Sequence, residues 1–143
     1  MRTNIPAFHL AIAVTDLKQA RHFYGDVLGC REGRSTPQWV DFEFFGHQLS
    51  LHLRDPGQGG GGREAGNVDG KRVDIPHFGV VLAWADYEAL VVRLRNADAV
   101  FLSPPTLRFP DRQGEQSSFF LRDPGGNTLE FKTFRDPDQL FSA

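Results

Sequence analysis

Apolar and polar residues alternate along FHLAIAV, residues 8–14. Phe8, Leu10, Ile12 and Val14 share one side; His9, Ala11 and Ala13 share the other. That is the period of a strand with one buried face. The opposite face is small except for His9, which leaves room in front of it. The period then changes: Leu17, Ala20, Phe23, Tyr24, Val27 and Leu28 recur at helical spacing. Thr15 or Asp16 is placed to cap this helix and Gly29 to stop it. A short strand from Cys30 to Gly33 is expected next, then one over Trp39 to Phe45 and one over Gln48 to Leu53 around a Gly46-His47 turn. In the second of these, Val40, Phe42 and Phe44 oppose Trp39, Asp41, Glu43 and Phe45. In the third, Leu49, Leu51 and Leu53 oppose Gln48, Ser50 and His52.

The stretch from Arg54 to Pro76 breaks the pattern. It holds seven glycines, four of them consecutive at Gly59 to Gly62, and reads as a flexible connection. It has no Gly-Lys-Ser/Thr ending and no following helix, so it is not a phosphate loop. The order then restarts. His77 to Leu82 reads as a strand whose histidine-bearing face is opened by Gly79. Ala85 or Asp86 opens a helix carrying Leu90, Val91, Leu94 and Ala97. Val100-Phe101 suggests a strand, Ser103 to Gly114 a proline-rich loop, and Gln116 to Leu121 a strand. Asp123-Pro124-Gly125-Gly126-Asn127 is dense in turn formers. Thr128 to Lys132 then alternates, with Glu130 opposite Leu129 and Phe131.

Strand, helix and three strands therefore occur twice, with Gly46 and Gly126 in equivalent turns. The expected fold is one α+β domain over residues 1–143. A first module covers about 7–54, a Gly-rich linker 55–76, and a second module about 77–134. A polar tail, 135–143, carries Leu140 and Phe141; it is frayed or docked on a partner subunit.

Composition narrows the picture without changing it. The net charge of −2 is spread without a basic cluster, which argues against nucleic acid and anionic membranes as partners. No apolar run approaches a membrane span, and the first residues lack the apolar core of a signal peptide. The single cysteine, Cys30, forms no intrachain disulfide and fits the cytoplasm. The 13 phenylalanines point to an apolar core or an apolar ligand cavity.

A carboxylate on the enclosed side of a strand needs a partner. Glu130 is such a group, and His9 and His77 stand in matching contexts on the first strand of each repeat. Together they are the candidate ligands of one divalent metal ion. Two imidazoles and a carboxylate suit Fe(II) or Mn(II) best, and also accept Zn(II) or Ni(II). The blander alternatives are two hydrogen-bonded structural histidines and a Glu130–Lys132 pair. His52 shares a strand face with Gln48 and Ser50. Glu43, Arg112, Glu115 and Gln116 are further candidates for the cavity, whereas His22 and His47 read as solvated.

Three motifs carry a family resemblance. They are Asp16-Leu17…Ala20…Phe23-Tyr24…Leu28-Gly29, Pro76-His77-Phe78-Gly79, and Phe120 through Phe131. Together they resemble the vicinal oxygen chelate superfamily over roughly residues 7–134. That superfamily includes glyoxalase I, extradiol dioxygenases, fosfomycin-resistance transferases and bleomycin-binding proteins. The resemblance implies two βαβββ modules forming an incomplete barrel around a metal-site cavity. It places metal ligands at His9, His77 and Glu130, and implies an acid/base role for His52.

The chain departs from each named pattern. Ser50 stands where a four-ligand glyoxalase has a second glutamate. Phe120 stands where extradiol enzymes carry a tyrosine, and no histidine follows His77. A phosphonate would need cations such as Arg108, Arg112 and Arg122. Bleomycin-binding members lack the metal triad. The expectation is a metal-dependent dioxygenase on a small oxygen-chelating substrate, with Phe120 and Trp39 walling the cavity, working as a homodimer. A glyoxalase-type isomerase or lyase and a non-catalytic small-molecule binding (resistance) protein are the alternatives.

Overall fold

The computed structural model describes residues 4–55, 64–68 and 71–143. The chain is α+β and divides into two compact units, Met1–Gly60 with Pro124–Gly126, and Gly61–Asp123 with Asn127–Ala143.

The first unit begins with β1 (His9–Val14), followed by α1 (Leu17–Arg21), which runs on as a π-helical stretch over His22–Val27. Asp16 caps α1, accepting from the Gln19 amide at 3.0 Å. Gly29 ends the helix with φ of +80°, a conformation that glycine enters without steric cost. Three strands follow: β2 (Arg31–Thr36), β3 (Trp39–Phe44) and β4 (His47–Leu53). The sheet order is β1-β4-β3-β2, with β1 parallel to β4. Val14, Tyr24, Leu28, Val40, Phe42, Phe44, Leu49 and Leu51 are buried and form the core.

The opposite face of that sheet is polar. Asp41 is only 8% exposed; it accepts from Ser50 Oγ at 2.6 Å and from Gln48 Nε2 at 3.3 Å. Ser50→Ala removes the shorter of these bonds from a buried carboxylate. It is expected to cost about 1–3 kcal/mol, measured by urea unfolding; a change within ±0.3 kcal/mol, on the order of a neutral surface substitution, contradicts the network.

The second unit opens with a hairpin, β5 (Glu64–Val68) and β6 (Lys71–Ile75). The expected structureless linker is thus corrected over these residues, while Gly59 to Gly62 lie outside the described ones. In the sequence, Asp-Gly at 69–70 is a hairpin signature, overshadowed by the surrounding glycines. α2 (Trp84–Asn96) follows, then β7 (Ser103–Arg108), β8 (Gln116–Arg122) and β9 (Thr128–Phe134), in the order β7-β8-β9.

Three further expectations are corrected here. Ser103 to Arg108 is a strand, not part of a loop, and Val100-Phe101 is not one. Pro104 and Pro105 are tolerated because β7 lies at the end of the sheet and its register shifts between Ser103 and Thr106. The expected His77–Leu82 strand is reduced to two parallel bridges, Phe78↔Leu129 and Val81↔Lys132.

Tyr87, Leu90, Leu94, Phe119, Leu121, Leu129 and Phe131 fill the core of this unit. Tyr87 and Ser117 share a buried hydrogen bond of 2.9 Å. Burial raises the Tyr87 pKa and Glu130 pushes it the same way, against the lowering by Ser117, so the phenol stays neutral. The tail forms a 3₁₀ turn over Pro137–Phe141. Arg135 ahead of it stacks 3.6 Å over the Trp84 ring, while Phe141 is 91% exposed.

The two units repeat one architecture in each sheet's own register. His9 pairs with Gln48, two residues past Gly46. The Phe78↔Leu129 bridge sets His77 beside Thr128, two residues past Gly126. Gly46 and Gly126 both have positive φ, +89° and +92°. Ser50 is opposite Asp41 on the neighbouring strand, as Glu130 is opposite Phe120. No helix among the described residues is long and apolar enough to cross a membrane.

Candidate functional site

Parity along β9 sends Glu130 to the face away from Leu129 and Phe131, both of which are buried. The segment before α2 runs beside β9 and brings His77 to that face. His77 Nε2 stands 3.4 Å from Glu130 Oε1, with side chains 23% and 13% exposed. Lys132 Nζ lies 3.4 Å from the same carboxylate oxygen. The Phe120 ring meets His77 edge-on at 5.3 Å.

The other nitrogen of His77 is also held. Nδ1–H donates to the Asp74 carbonyl at 2.6 Å, and a carbonyl only accepts. In the neutral imidazole, Nε2 therefore carries the lone pair, and it faces a carboxylate oxygen. Two acceptors so placed are satisfied by a proton or a metal cation between them. Adjacent ligands about 2.1 Å from one octahedral ion stand about 3 Å apart, close to the separation here. A backbone carbonyl fixing the second nitrogen is also the usual support of a metal-ligating histidine. The donor set of this pair fits a divalent ion.

Asp74 holds more than His77. Its Oδ2 accepts from Arg122 at 2.6 Å and from Thr128 Oγ1 at 2.7 Å. It thereby ties β6 to both β8 and β9. Sequence reasoning missed Asp74 because it lies in the stretch taken for a linker; its only signal is its position three residues before His77.

Beside the pair lies a cavity of about 200 Å³. Among the described residues, its charged lining is Arg72, Arg108, Arg122 and Asp74. Ser103, Thr106 and Ser118 add hydroxyls; Val73, Leu102 and Phe120 add apolar surface. Ser118, Phe120 and Arg122 alternate along β8 and so share its face with Glu130. Phe120 thus borders both the cavity and His77.

His9 is exposed at the start of β1 in the first unit. His52 is exposed near the end of β4, its ring 6.5 Å from Trp39. Glu43 pairs with Arg31 at 2.8 Å. Arg112 stacks on Phe109, Glu115 pairs with Arg135, and Gln116 donates to Gly114, none of them lining the cavity. His22 pairs with Asp26, as expected of a surface residue. His47 departs from the solvated reading: it opens β4 and its Nδ1 accepts from the Phe8 amide at 2.9 Å. Among the described residues, no three His, Cys, Asp or Glu side chains form a group that could hold a metal. Within the second unit, His77 and Glu130 are brought together.

Comparison with known proteins matches residues 7–131 to the family model described as Glyoxalase/Bleomycin resistance protein/Dioxygenase superfamily. No curated protein matches the chain. Among solved structures, a glyoxalase/bleomycin resistance protein/dioxygenase from Alicyclobacillus acidocaldarius is 32% identical. That match covers 99% of this chain and 100% of the other, with a TM-score of 0.76. A genomically encoded fosfomycin resistance protein from Listeria monocytogenes shares the fold at 16% identity, 97% and 98% coverage and a TM-score of 0.67. A lactoylglutathione lyase from Agrobacterium tumefaciens does so at 21% identity, with both chains covered in full and a TM-score of 0.62.

Proposed function

Because the chain belongs to the glyoxalase/bleomycin resistance protein/dioxygenase superfamily, we propose that it is a metal-dependent enzyme, a dioxygenase acting on a small oxygen-chelating molecule. The carrying observation is the His77–Glu130 pair, with the Asp74 carbonyl holding the far nitrogen of the imidazole. His9 is the proposed third ligand. Its support is its register, the same on β1 and β4 as that of His77 beside β9. Iron(II) or manganese(II) is the favoured ion, with zinc or nickel as alternatives. When bound, the metal supplies Lewis-acid or electron-transfer chemistry to the chelating oxygens.

The chain's own residues do the rest. Asp74 holds the His77 tautomer. Phe120 presents an apolar wall beside the pair and limits water there. His52 is the proposed proton carrier, an imidazole being suited to that exchange near neutral pH. We place the protein in the cytoplasm as a homodimer; a single cysteine, Cys30, agrees with a reducing compartment.

A second reading, an isomerase or lyase of the glyoxalase kind, draws on Asp41. Ser50 cannot replace a glutamate, but it donates to a buried aspartate across the strand. The first unit therefore does carry an acid on its polar face.

Protein purified without oxygen is expected to carry about one metal ion per chain. With catechol as the chelating probe, oxygen uptake equal to substrate consumed supports the dioxygenase. With the hemithioacetal of methylglyoxal and glutathione as the second probe, thioester formation without oxygen uptake supports the isomerase or lyase. A chain that takes up no iron, manganese, zinc or nickel overturns both.

A further inference from the structure

We infer that the cavity beside Phe120 is a docking site for the anionic head group, carboxylate or phosphonate, of a small organic acid. This deepens the proposed function by naming a substrate class, and it rests on that reading only for the chemistry that follows binding. Three guanidinium groups, Arg72, Arg108 and Arg122, line one space of about 200 Å³, with Asp74 the only acidic residue lining it among the described residues. The Asp74 carboxylate is already committed to Arg122 and Thr128. Among the described residues, the lining brings three arginines and one aspartate together. Guanidinium groups bind planar or tetrahedral oxyanions through paired N–H donors. The hydroxyls of Ser103 and Ser118 can complete such a shell.

The rest of the lining describes the body of the ligand. Val73, Leu102 and Phe120 offer apolar surface, and Phe120 continues to His77. A molecule held by its anionic end at the arginines would lie along Phe120, with its other end beside His77 and Glu130. The cavity is smaller than the roughly 300–1,000 Å³ of pockets for drug-sized ligands, so the ligand is small, of the size of a single ring with its head group. The chain's overall charge of −2 makes a local cationic cavity more selective for anions than the whole surface is.

The test uses full-length protein stripped of metal, so that it does not depend on the metal reading. Benzoate, phenylphosphonate and neutral benzamide are titrated by calorimetry. At least one acid is expected to bind about tenfold or more tighter than benzamide, weakening with salt. Arg108→Gln and Arg72→Gln are each expected to weaken that acid by about tenfold. Both should leave the circular dichroism, the melting temperature and the zinc content of reloaded protein unchanged. Arg93→Gln, on α2, serves as the charge control and is expected to change nothing. The tighter of the two acids identifies the head group. Equal binding of benzamide, no binding of either acid, or an affinity untouched by both cavity variants overturns the proposal. Failure to load zinc with acid binding intact would count against the metal reading alone.

Discussion

Replacing His77 with alanine is expected to reduce bound metal from about one ion per chain to below about 0.1, with affinity falling more than about 100-fold. Losing even an outer-shell partner of a ligand costs about 10–100-fold. The fold should survive. Among the described residues, the imidazole makes one hydrogen bond, to the Asp74 carbonyl, and its loss costs about 1 kcal/mol. The side chain is partly exposed, so little core is removed. Elemental analysis of anaerobically purified protein gives the stoichiometry, and circular dichroism with urea unfolding checks the fold. His22→Ala is the matched control, since His22 sits on the surface against Asp26. Wild-type metal content in His77→Ala protein would refute the proposed ligand set. The His77–Glu130 contact would then be an ordinary ion pair with Lys132 alongside.

A second large effect is expected at Gly79. A Cβ built there overlaps the Glu130 carbonyl oxygen and stands 2.6 Å from its carbon and 3.2 Å from its nitrogen. These are backbone atoms, which cannot turn aside as a side chain would. They are also pinned on both sides. The Glu130 amide donates to the Phe78 carbonyl at 2.8 Å, and the Lys132 amide to the Val80 carbonyl at 3.2 Å. Gly79→Ala must part the two segments or shift β9. A loss of about 3 kcal/mol or more is expected, read from the urea midpoint. Metal content should fall with it, because Glu130 moves with its backbone. Gly25→Ala is the contrast, since its Cβ would meet Phe42 Cε1 at an ordinary 3.6 Å. Its effect should stay within about 1 kcal/mol of wild type. Similar losses at the two glycines would mean that the tight approach at Gly79 carries no special strain.

Much of the architecture is legible in local periodicity. The alternation in FHLAIAV, the helical spacing up to Leu28 and the glycine after it correspond to β1, α1 with its π-helical extension, and the turn into β2. Each of these needs only the chain's own period and a residue suited to the turn. Glu130 was also legible, because strand parity alone assigns a side chain to a face. Local signals failed where a neighbour overrode them. Pro104 and Pro105 argued for a loop, yet the outer position of β7 and its register shift accommodate them. The glycines of the stretch from Arg54 to Pro76 argued for a linker, yet β5 and β6 pair with each other there.

The chain's periodicity determined the repeated modules, the turns at Gly46 and Gly126, and which residues share a face with Glu130. Tertiary structure decided which of those residues meet. Asp74 reaches Arg122 across 48 positions and Thr128 across 54. Arg72 and Arg108 come to one cavity from separate strands. Period says which side of its own strand a residue takes; it carries no information about which strands become neighbours or in what register. Asp74, read as part of a linker, therefore became the residue that holds His77, and three scattered arginines became a site.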